Sequence, residues 1–415
     1  MNSFTIIFLI AVIISYAVQF WLSKRQADYV SAHRSAVPDA FKNTVSLAAH
    51  QKAADYTIDK GKLGKIDSII GLAALLLMTL GGGINTVFKF WSETMSSPLL
   101  IGVIATASIF FILNLIELPT SYYETFVIEE KYGFNKSSIQ QFVKDHLLQL
   151  ALSAGIGLPL LALILWVMDS VGSLWWFWAW AILMSFSLLM SWLFPTVIAP
   201  LFNKFTPMAE GSLKNRIQGL LSRCGFNSQG IFIMDGSKRS GHGNAYFTGL
   251  GNNKRIVFYD NLVNSLDEEE LEAVLAHELG HFKCKHVVKM LVATAIMSLI
   301  SLAILGWLIS EPWFYSGLGI DAAQASNATA LLLFMLVSPV FTLFMQPISA
   351  YFQRKFEFEA DSFASEHAQA KKLISGLVKL YEENANTLTP DPLYSAFHYS
   401  HPPAAIRIAH LESKA

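Results

Sequence analysis

The amino-acid sequence predicts a mainly α protein with seven transmembrane helices and a small cytosolic α+β domain formed by two separate segments. Composition is the first reason, because 53% of the 415 residues are hydrophobic and only 15% are charged, against about 25% charged residues in soluble domains. Seven stretches also reach the roughly 20 apolar residues that a helix needs to cross a bilayer. The predicted spans are about Phe4–Leu22, Ile66–Phe88, Pro98–Leu118, Leu150–Val171, Trp175–Phe194, Val287–Ile309 and Ala328–Ala350.

The distribution of Lys and Arg predicts which loops are cytosolic. The loop 23–65 carries eight of them, 119–149 carries three and 203–286 carries ten, whereas the opposite loops carry almost none. Because basic loops stay in the cytoplasm, we expect the N-terminus outside and two soluble segments on the cytosolic face. The predicted organisation is five spans with their loops (1–202), a cytosolic segment (203–286), two further spans (287–350) and a cytosolic tail (351–415).

Charge and cysteine content exclude several other classes of protein. The net charge of −1 excludes a generally basic nucleic-acid-binding protein, so the expected partners include the lipid bilayer and no nucleic acid. Cys224 and Cys284 are too few for a disulfide framework. The first apolar stretch lacks preceding basic residues and a following cleavage site, so we expect it to be retained as a span.

The segment 203–286 contains patterns typical of both strands and helices. Three short apolar stretches predict strands, and a Gly-Asn-Asn sequence predicts the turn between the last two. These elements are Gly230–Asp235, Asn244–Gly249 and Arg255–Tyr259, with the turn at Gly251–Asn253. Ser265 and Glu268 then form a predicted capping box, and acidic residues precede basic ones along the following stretch. These signals predict a helix from about Leu266 to Lys285.

The predicted helix carries an H-E-x-x-H sequence, which reads His277-Glu278-Leu279-Gly280-His281. Residues four apart lie on one face of a helix, so His277 and His281 can bind the same zinc ion. Glu278 is then placed to take a proton from a zinc-bound water, whose pKa zinc lowers from about 16 to about 7. The sequence therefore predicts one Zn²⁺ per chain and a hydrolytic reaction.

A catalytic zinc ion needs a third protein ligand, and the residues alone leave alternatives open. Cys284 and His286 follow the motif closely, but Cys284 fits a small buried or interfacial residue and His286 fits a partner of the helix dipole. Glu357 and Asp361 lie four residues apart beyond the last predicted span, so one can bind zinc while the other orients a ligand imidazole. Glu359 points roughly 200° away from Glu357. The alternative is that these acids form a solvated face.

Together these motifs resemble the type 1 CAAX prenyl protease family, which are integral-membrane zinc endopeptidases with seven spans. The resemblance rests on Leu275–Phe282, on Glu357 with Asp361, and on Asn244–Phe247 after Ser240. It also includes Phe126–Glu129, Tyr132–Asn135 and Pro195–Phe202, so it runs through most of the chain. The resemblance implies that Glu357 is the third zinc ligand and that Asp361 supports a ligand histidine.

The resemblance also suggests roles for residues of the tail and of one predicted strand. It implies that His401 and Arg407 reach the active site, with His401 stabilising the oxyanion and Arg407 helping to hold substrate. The alternative is a turn at the two prolines after His401 and a surface arginine. Asn244 is a candidate contact for the substrate backbone, since an edge strand can add a peptide as a further strand. The alternative is that this strand is paired within the domain, and His242 before it is expected to be a loop residue.

The expected activity is therefore hydrolysis of peptide or protein substrates by zinc-activated water. By resemblance, the substrates are prenylated C-termini that lose their last three residues. One alternative is quality-control proteolysis of membrane proteins without prenyl dependence. Another is a non-catalytic seven-span channel or scaffold. The expected location is a bacterial inner membrane or the endoplasmic reticulum, with the active site on the cytoplasmic side.

Overall fold

The computed structural model describes residues 2–226, 228, 230–248 and 255–414, and it is mainly helical. The helices before the sheet are α1 (Ser3–Ala32), α2 (Leu47–Met78), α3 (Gly83–Thr94), α4 (Pro98–Tyr123), α5 (Glu130–Tyr132), α6 (Ile139–Leu152), α7 (Leu158–Ser170), α8 (Trp175–Leu193) and α9 (Ala199–Phe202). The helices that follow are α10 (Ser212–Arg223), α11 (Asp260–Ser265), α12 (Glu268–Lys283), α13 (His286–Leu308), α14 (Pro312–Gly317), α15 (Asn327–Thr342), α16 (Gln346–His367), α17 (Ala370–Glu383), α18 (Pro392–His398) and α19 (Ala404–Glu412).

Six helical runs in the described residues are long and apolar enough to cross a bilayer. They are Ser3–Ala32, Pro98–Tyr132, Ile139–Ser170, Gly172–Phe202, His286–Leu308 and Asn327–His367. A seventh is obtained if α2 and α3, which are bent by 51° at their junction, count as one span. Their exposed faces carry large apolar side chains such as Ile6, Ile10 and Ile13. The chain is therefore a multi-pass membrane protein.

The predicted second span, Ile66–Phe88, is not one straight helix. It breaks between Met78 and Gly83, where Gly82 adopts the left-handed conformation with φ of 78°. A Cβ atom on Gly81 would lie 2.7 Å from the carbonyl oxygen of Leu77. Because only glycine fits such a turn, the helix bends at these glycines and does not continue straight through them.

The four strands form one small sheet beside the helices. They are β1 (Phe205–Pro207), β2 (Ile231–Met234), β3 (Ala245–Thr248) and β4 (Arg255–Tyr259), and their order across the sheet is β1-β2-β4-β3. Strands β2 and β4 run parallel, and both outer pairs are antiparallel. The sequence predicted β2, β3 and β4 but not β1. The predicted turn at Gly251–Asn253 lies outside the described residues.

The predicted capping box at the start of α12 is wrong by two residues. The N-cap is Asp267, whose side chain accepts the backbone N–H groups of Glu269 and Glu270, while the Glu270 side chain accepts the N–H of Asp267. Ser265 instead ends α11, and its hydroxyl donates to Leu262. Both pairs fit the capping pattern, but Ser265 is already used by the preceding helix. Helix α12 also ends at Lys283 and not at Lys285, because Lys285 turns the chain with φ of 58°.

Candidate metal centre

The candidate site forms where helix α12 packs against helix α16. The two helices approach closely at Gly280, since a Cβ atom there would lie 2.8 Å from Cα of Ala360, a fully buried residue. A glycine on one helix and an alanine on the other let the backbones meet, and the flanking side chains then face each other. This contact brings the H-E-x-x-H face of α12 onto the acidic face of α16.

Three side chains with metal-binding groups meet between these helices. Nε2 of His277 lies 3.2 Å from Nε2 of His281, and Glu357 places its two carboxylate oxygens 3.5 Å from the first nitrogen and 3.1 Å from the second. Tetrahedral coordination with bonds of about 2.0–2.1 Å requires ligand separations of about 3.3 Å. Oε2 of Glu357 is also buried without a hydrogen-bond partner among the described residues. Two imidazoles and one carboxylate therefore fit a metal ion with one open position.

The outer nitrogen of His277 is held by a buried ion pair. Nδ1 of His277 lies 2.8 Å from Asp361, and Arg407 donates to both oxygens of that carboxylate at 2.9 and 2.6 Å. All three residues are buried. Because the carboxylate accepts, His277 carries its proton on Nδ1, and Nε2 keeps the lone pair that a metal needs.

The outer nitrogen of His281 is held by a second chain of contacts that the sequence did not reveal. Nδ1 of His281 lies 3.0 Å from Nδ1 of His286, whose Nε2 lies 3.0 Å from Glu359. Since Glu359 only accepts, His286 carries its proton on Nε2 and accepts from His281. His286 is 2% exposed and stacks on Phe356 at 4.3 Å. This arrangement leaves Nε2 of His281 unprotonated for a metal.

Cys284 and His286, two alternatives for the third ligand, are therefore not part of the group formed by His277, His281 and Glu357. The predicted role of His286 as a dipole partner at the end of α12 is wrong, because His286 is the first residue of α13. Cys284 lies beside His286 and Glu359. The predicted opposite orientation of Glu359 and Glu357 agrees with the structure, in which Glu359 contacts His286 and Lys289.

Glu278 and the remaining predicted site residues line one cavity of about 1160 Å³ next to these ligands. Burial raises the pKa of the Glu278 carboxyl above its ordinary value, and the neighbouring His277 and His281 offset part of that rise. His401 also lines the cavity, with Nε2 3.4 Å from Glu357 and Nδ1 2.9 Å from the Ser400 hydroxyl. The cavity can hold a peptide against the candidate metal group.

Asn244 lies exposed at the start of β3 and lines the same cavity. Its carbonyl oxygen accepts the N–H of Tyr259 in β4, so β3 is paired on one side, as the alternative interpretation expected. On its other side, β3 has no strand neighbour within the described ranges. Arg407 also borders the cavity, but its guanidinium is engaged with Asp361, and this geometry supports positioning of His277.

A further network beside Asn244 was missed by sequence reasoning. His242 contacts Glu129 and Asn384 at 3.3 Å each, and the Asn384 side chain also accepts the N–H of Gly243. Tyr56 donates to Glu129 at 2.5 Å. The structure contains a π-helical turn at Glu124–Glu129, and such turns are frequent at functional sites. The sequence does not show which residues this turn faces. His242 is in a loop, as predicted, and the network fixes that loop where it enters β3.

The tail that carries His401 is held by contacts with distant helices. Asp391 pairs with Arg25 at 2.8 Å, and its N–H donates to Gln26 at 2.7 Å. Arg354 of α16 donates to the carbonyl oxygen of Tyr399 at 2.7 Å. These partners are separated by up to 366 residues, and no local sequence pattern marks them.

This fold and this site define a class of protein. A helical membrane bundle carries an H-E-x-x-H helix whose histidines meet a glutamate from a second helix, which is the donor arrangement of a metallopeptidase. Residues 207–415 match the model of peptidase family M48, and residues 26–204 match the model described as CAAX prenyl protease N-terminal, five membrane helices. The chain belongs to this family of CAAX prenyl proteases and is a membrane metalloendopeptidase.

Individual relatives agree with the family models. CAAX prenyl protease 1 homolog of Dictyostelium discoideum is 36% identical over 97% of this chain and 95% of its own length. CAAX prenyl protease 1 of Saccharomyces cerevisiae is 31% identical over 96% of this chain and 93% of its own length. The crystal structure of S. mikatae Ste24p has a TM-score of 0.91 at 30% identity and covers 99% of both chains. Because this is a family of proteases, membership in it excludes the non-catalytic channel or scaffold that the sequence analysis gave as an alternative.

Proposed function

We propose that this chain is a zinc endopeptidase that removes the C-terminal tripeptide of prenylated proteins. The observation that carries the proposal is the group of His277, His281 and Glu357, which opens into a cavity shared with Glu278. Relatives named CAAX prenyl protease 1 along nearly the whole chain support the substrate class. Two imidazoles and a carboxylate form a donor set that zinc prefers.

Bound zinc supplies Lewis-acid chemistry, which polarises a peptide carbonyl and makes water acidic at neutral pH. Glu278 takes the proton of the attacking water and returns it to the leaving amine. Burial, which raises the pKa of this carboxyl, favours its holding the proton between the two steps. His401 donates from Nε2 to the developing oxyanion.

Asn244 and β3 position the substrate in this proposal. Asn244 and Ala245, at the start of β3, line the cavity, and β3 has no second strand neighbour among the described residues. An extended peptide can therefore add to the sheet through main-chain hydrogen bonds. Arg407 and Asp361 act through His277, by fixing the imidazole in the orientation and tautomer that zinc binding requires.

We also propose the membrane arrangement that the basic loops predict. The bent pair α2 and α3 counts as one of seven spans, the N-terminus lies outside, and residues 203–286 and 351–415 close the site on the cytosolic face. The membrane in this proposal is a bacterial inner membrane or the endoplasmic reticulum.

A second candidate function is quality-control proteolysis without prenyl dependence. The cavity favours it in one respect, since polar side chains such as Gln19, Ser23 and Thr57 line the wall formed by α1 and α2. Such a wall suits a hydrated peptide as well as a lipidated one.

The test compares a farnesylated CAAX peptide with its unlipidated twin in detergent, using wild type and Glu278→Gln. We expect prenyl-dependent release of the tripeptide by wild type. We expect a loss of about 10²–10⁴-fold in the variant, the usual contribution of a general base. Equal cleavage of both peptides would move the function to general membrane proteolysis. Failure of wild type to cleave either peptide would contradict both functions.

A further inference from the structure

The cavity at the candidate metal group continues along helix α2. One half of α2 lines it with polar or small residues, and the Cβ positions of Gly61 and Gly64 have no other atom within 4 Å. The lining residues of α2 are Tyr56, Thr57, Lys60, Gly61, Gly64, Lys65 and Ser68. At 100° per residue they fall within one half of the helix. A helix that borders lipid elsewhere therefore presents a polar wall to the cavity.

The charges on the cavity wall are unequal. Glu278 is the only acidic residue among the described residues that line it, against the bases Lys60, Lys65 and Arg407. Arg407 is paired with Asp361, and Lys60 lies 2.9 Å from Glu124. Lys65 is half-buried and has no hydrogen bond or ion pair with any residue that the structure describes. The α2 wall therefore holds one uncompensated positive charge.

The distance along α2 from Tyr56 to Lys65 is comparable with the length of a short peptide. Tyr56, nine residues earlier, lies with its ring 6.3 Å from the ring of His242, which precedes Gly243 and Asn244. Nine residues of helix rise about 13.5 Å, and a helical side chain leans back toward the N-terminus of its helix. Three extended residues span about 10 Å. Lys65 therefore lies along the wall of the cavity that also contains His277 and Glu278, at a distance from Tyr56 comparable with the length of three or four extended residues.

A basic residue at a membrane border can also serve only to orient the protein. Lys62 shows what that role looks like in the same helix, since its side chain is 69% exposed, lies outside the cavity lining and pairs with Asp59. Lys65 differs in lining the cavity and in having no partner. Lys65 directly precedes the predicted span Ile66–Phe88, and an unpaired charge that faces a cavity there indicates an anionic ligand.

We propose that Lys65 binds the C-terminal carboxylate of the peptide substrate, so that the cavity measures three residues from the chain end to the scissile bond. This inference rests on the proposed function and adds the group that recognises the free chain end. Amidation of the peptide removes the negative charge and leaves Lys65 unpaired. A peptide with one added residue keeps its carboxylate at Lys65 and is cut one residue further along.

The test measures kcat/KM for one CAAX peptide as the free acid and as the C-terminal amide, with wild type, Lys65→Met and the matched control Lys62→Met. We expect wild type and Lys62→Met to prefer the acid by about tenfold, the size of one charge-assisted hydrogen bond, and Lys65→Met to lose the preference. A melting temperature of Lys65→Met close to that of wild type shows that the variant is folded, and Lys65→Arg should restore part of the preference for the acid. Mass spectrometry of the extended peptide reports the cleavage position.

Several outcomes would overturn the inference. If Lys65→Met still prefers the acid, the carboxylate binds to another residue and the inference is wrong. If wild type cleaves acid and amide at equal rates, the carboxylate is not recognised at all, which also contradicts the inference. If anionic lipid in nanodiscs, and not the peptide terminus, changes the rate through Lys65, the ligand is a lipid phosphate and the inference is wrong. Failure of wild type to cleave any peptide would instead contradict the proposed function, and this inference with it.

Discussion

At the scale of single residues, the two histidines of the metal group are fixed in different ways. His277 donates to Asp361, which Arg407 holds from behind, whereas His281 donates to a neutral histidine, His286. Both arrangements leave Nε2 unprotonated. The contacts of His277 use buried charges, so substitutions there are poorly tolerated. The contact of His281 with His286 depends on Glu359, which is partly exposed and also contacts Lys289.

The contact with His286 predicts a measurable effect on metal affinity. His286→Phe keeps a ring against Phe356 but removes the acceptor for His281, so we expect zinc affinity to fall about 10–100-fold. Glu359→Gln keeps an oxygen that can accept from His286, so we expect a smaller loss. Competition with a chelator measures both. An unchanged affinity in His286→Phe would show that the His286 contact does not support the metal.

At the scale of elements, the site depends on the close packing of α12 on α16. Gly280→Ala places a methyl group 2.8 Å from Cα of Ala360, so the helices must separate. We expect destabilisation of about 1–3 kcal/mol, together with weaker zinc binding because Glu357 moves away from the histidines. The matched control is Gly71→Ala in α2, where no atom lies within 4 Å of the new methyl group. Equal melting temperatures for the two variants would contradict this explanation.

The start of α12 gives a second prediction at this scale. Asp267→Ala removes the N-cap and should cost about 1 kcal/mol at pH 7, whereas Ser265→Ala should cost at most a few tenths. The backbone N–H of Glu270 and the ammonium of Lys372 lower the pKa of Asp267 below its ordinary value. The stabilisation is therefore present above that ordinary value and is lost as the pH falls below about 4.

Melting temperatures in detergent at pH 7 and at pH 3 test this prediction. We expect the difference between wild type and Asp267→Ala to shrink at the lower pH. A larger effect of Ser265→Ala than of Asp267→Ala would place the cap where the sequence first suggested it.

The same elements show how far sequence reasoning reaches. Apolar runs and the H-E-x-x-H spacing are local patterns, so they predict the membrane helices, α12 and the paired histidines. The break at Gly82 and the choice of Asp267 over Ser265 as the cap depend on what neighbouring residues already do. The contacts of His281 with His286, and of Asp391 with Arg25, join residues from different elements. Such contacts follow from tertiary packing, which no local pattern specifies.

At the scale of the whole molecule, the site is closed by parts that are distant in the chain. Helix α12 supplies two candidate ligands, α16 the third, the tail His401 and Arg407, and α1 and α2 the far wall of the cavity. The network from Tyr56 through Glu129 to His242 joins that wall to the approach to β3. Membrane helices and the sheet thus line one cavity, so we expect the membrane part of the chain to take part in binding substrate.

The measurement that tests the central claim most directly is the zinc content of purified protein for wild type, Glu278→Gln and Glu357→Ala. If His277, His281 and Glu357 form the metal site and Glu278 acts on water beside it, wild type and Glu278→Gln will each hold about one zinc per chain. Glu357→Ala will lose zinc to a mild chelator. A Glu357→Ala protein that keeps one zinc with wild-type affinity would contradict the account.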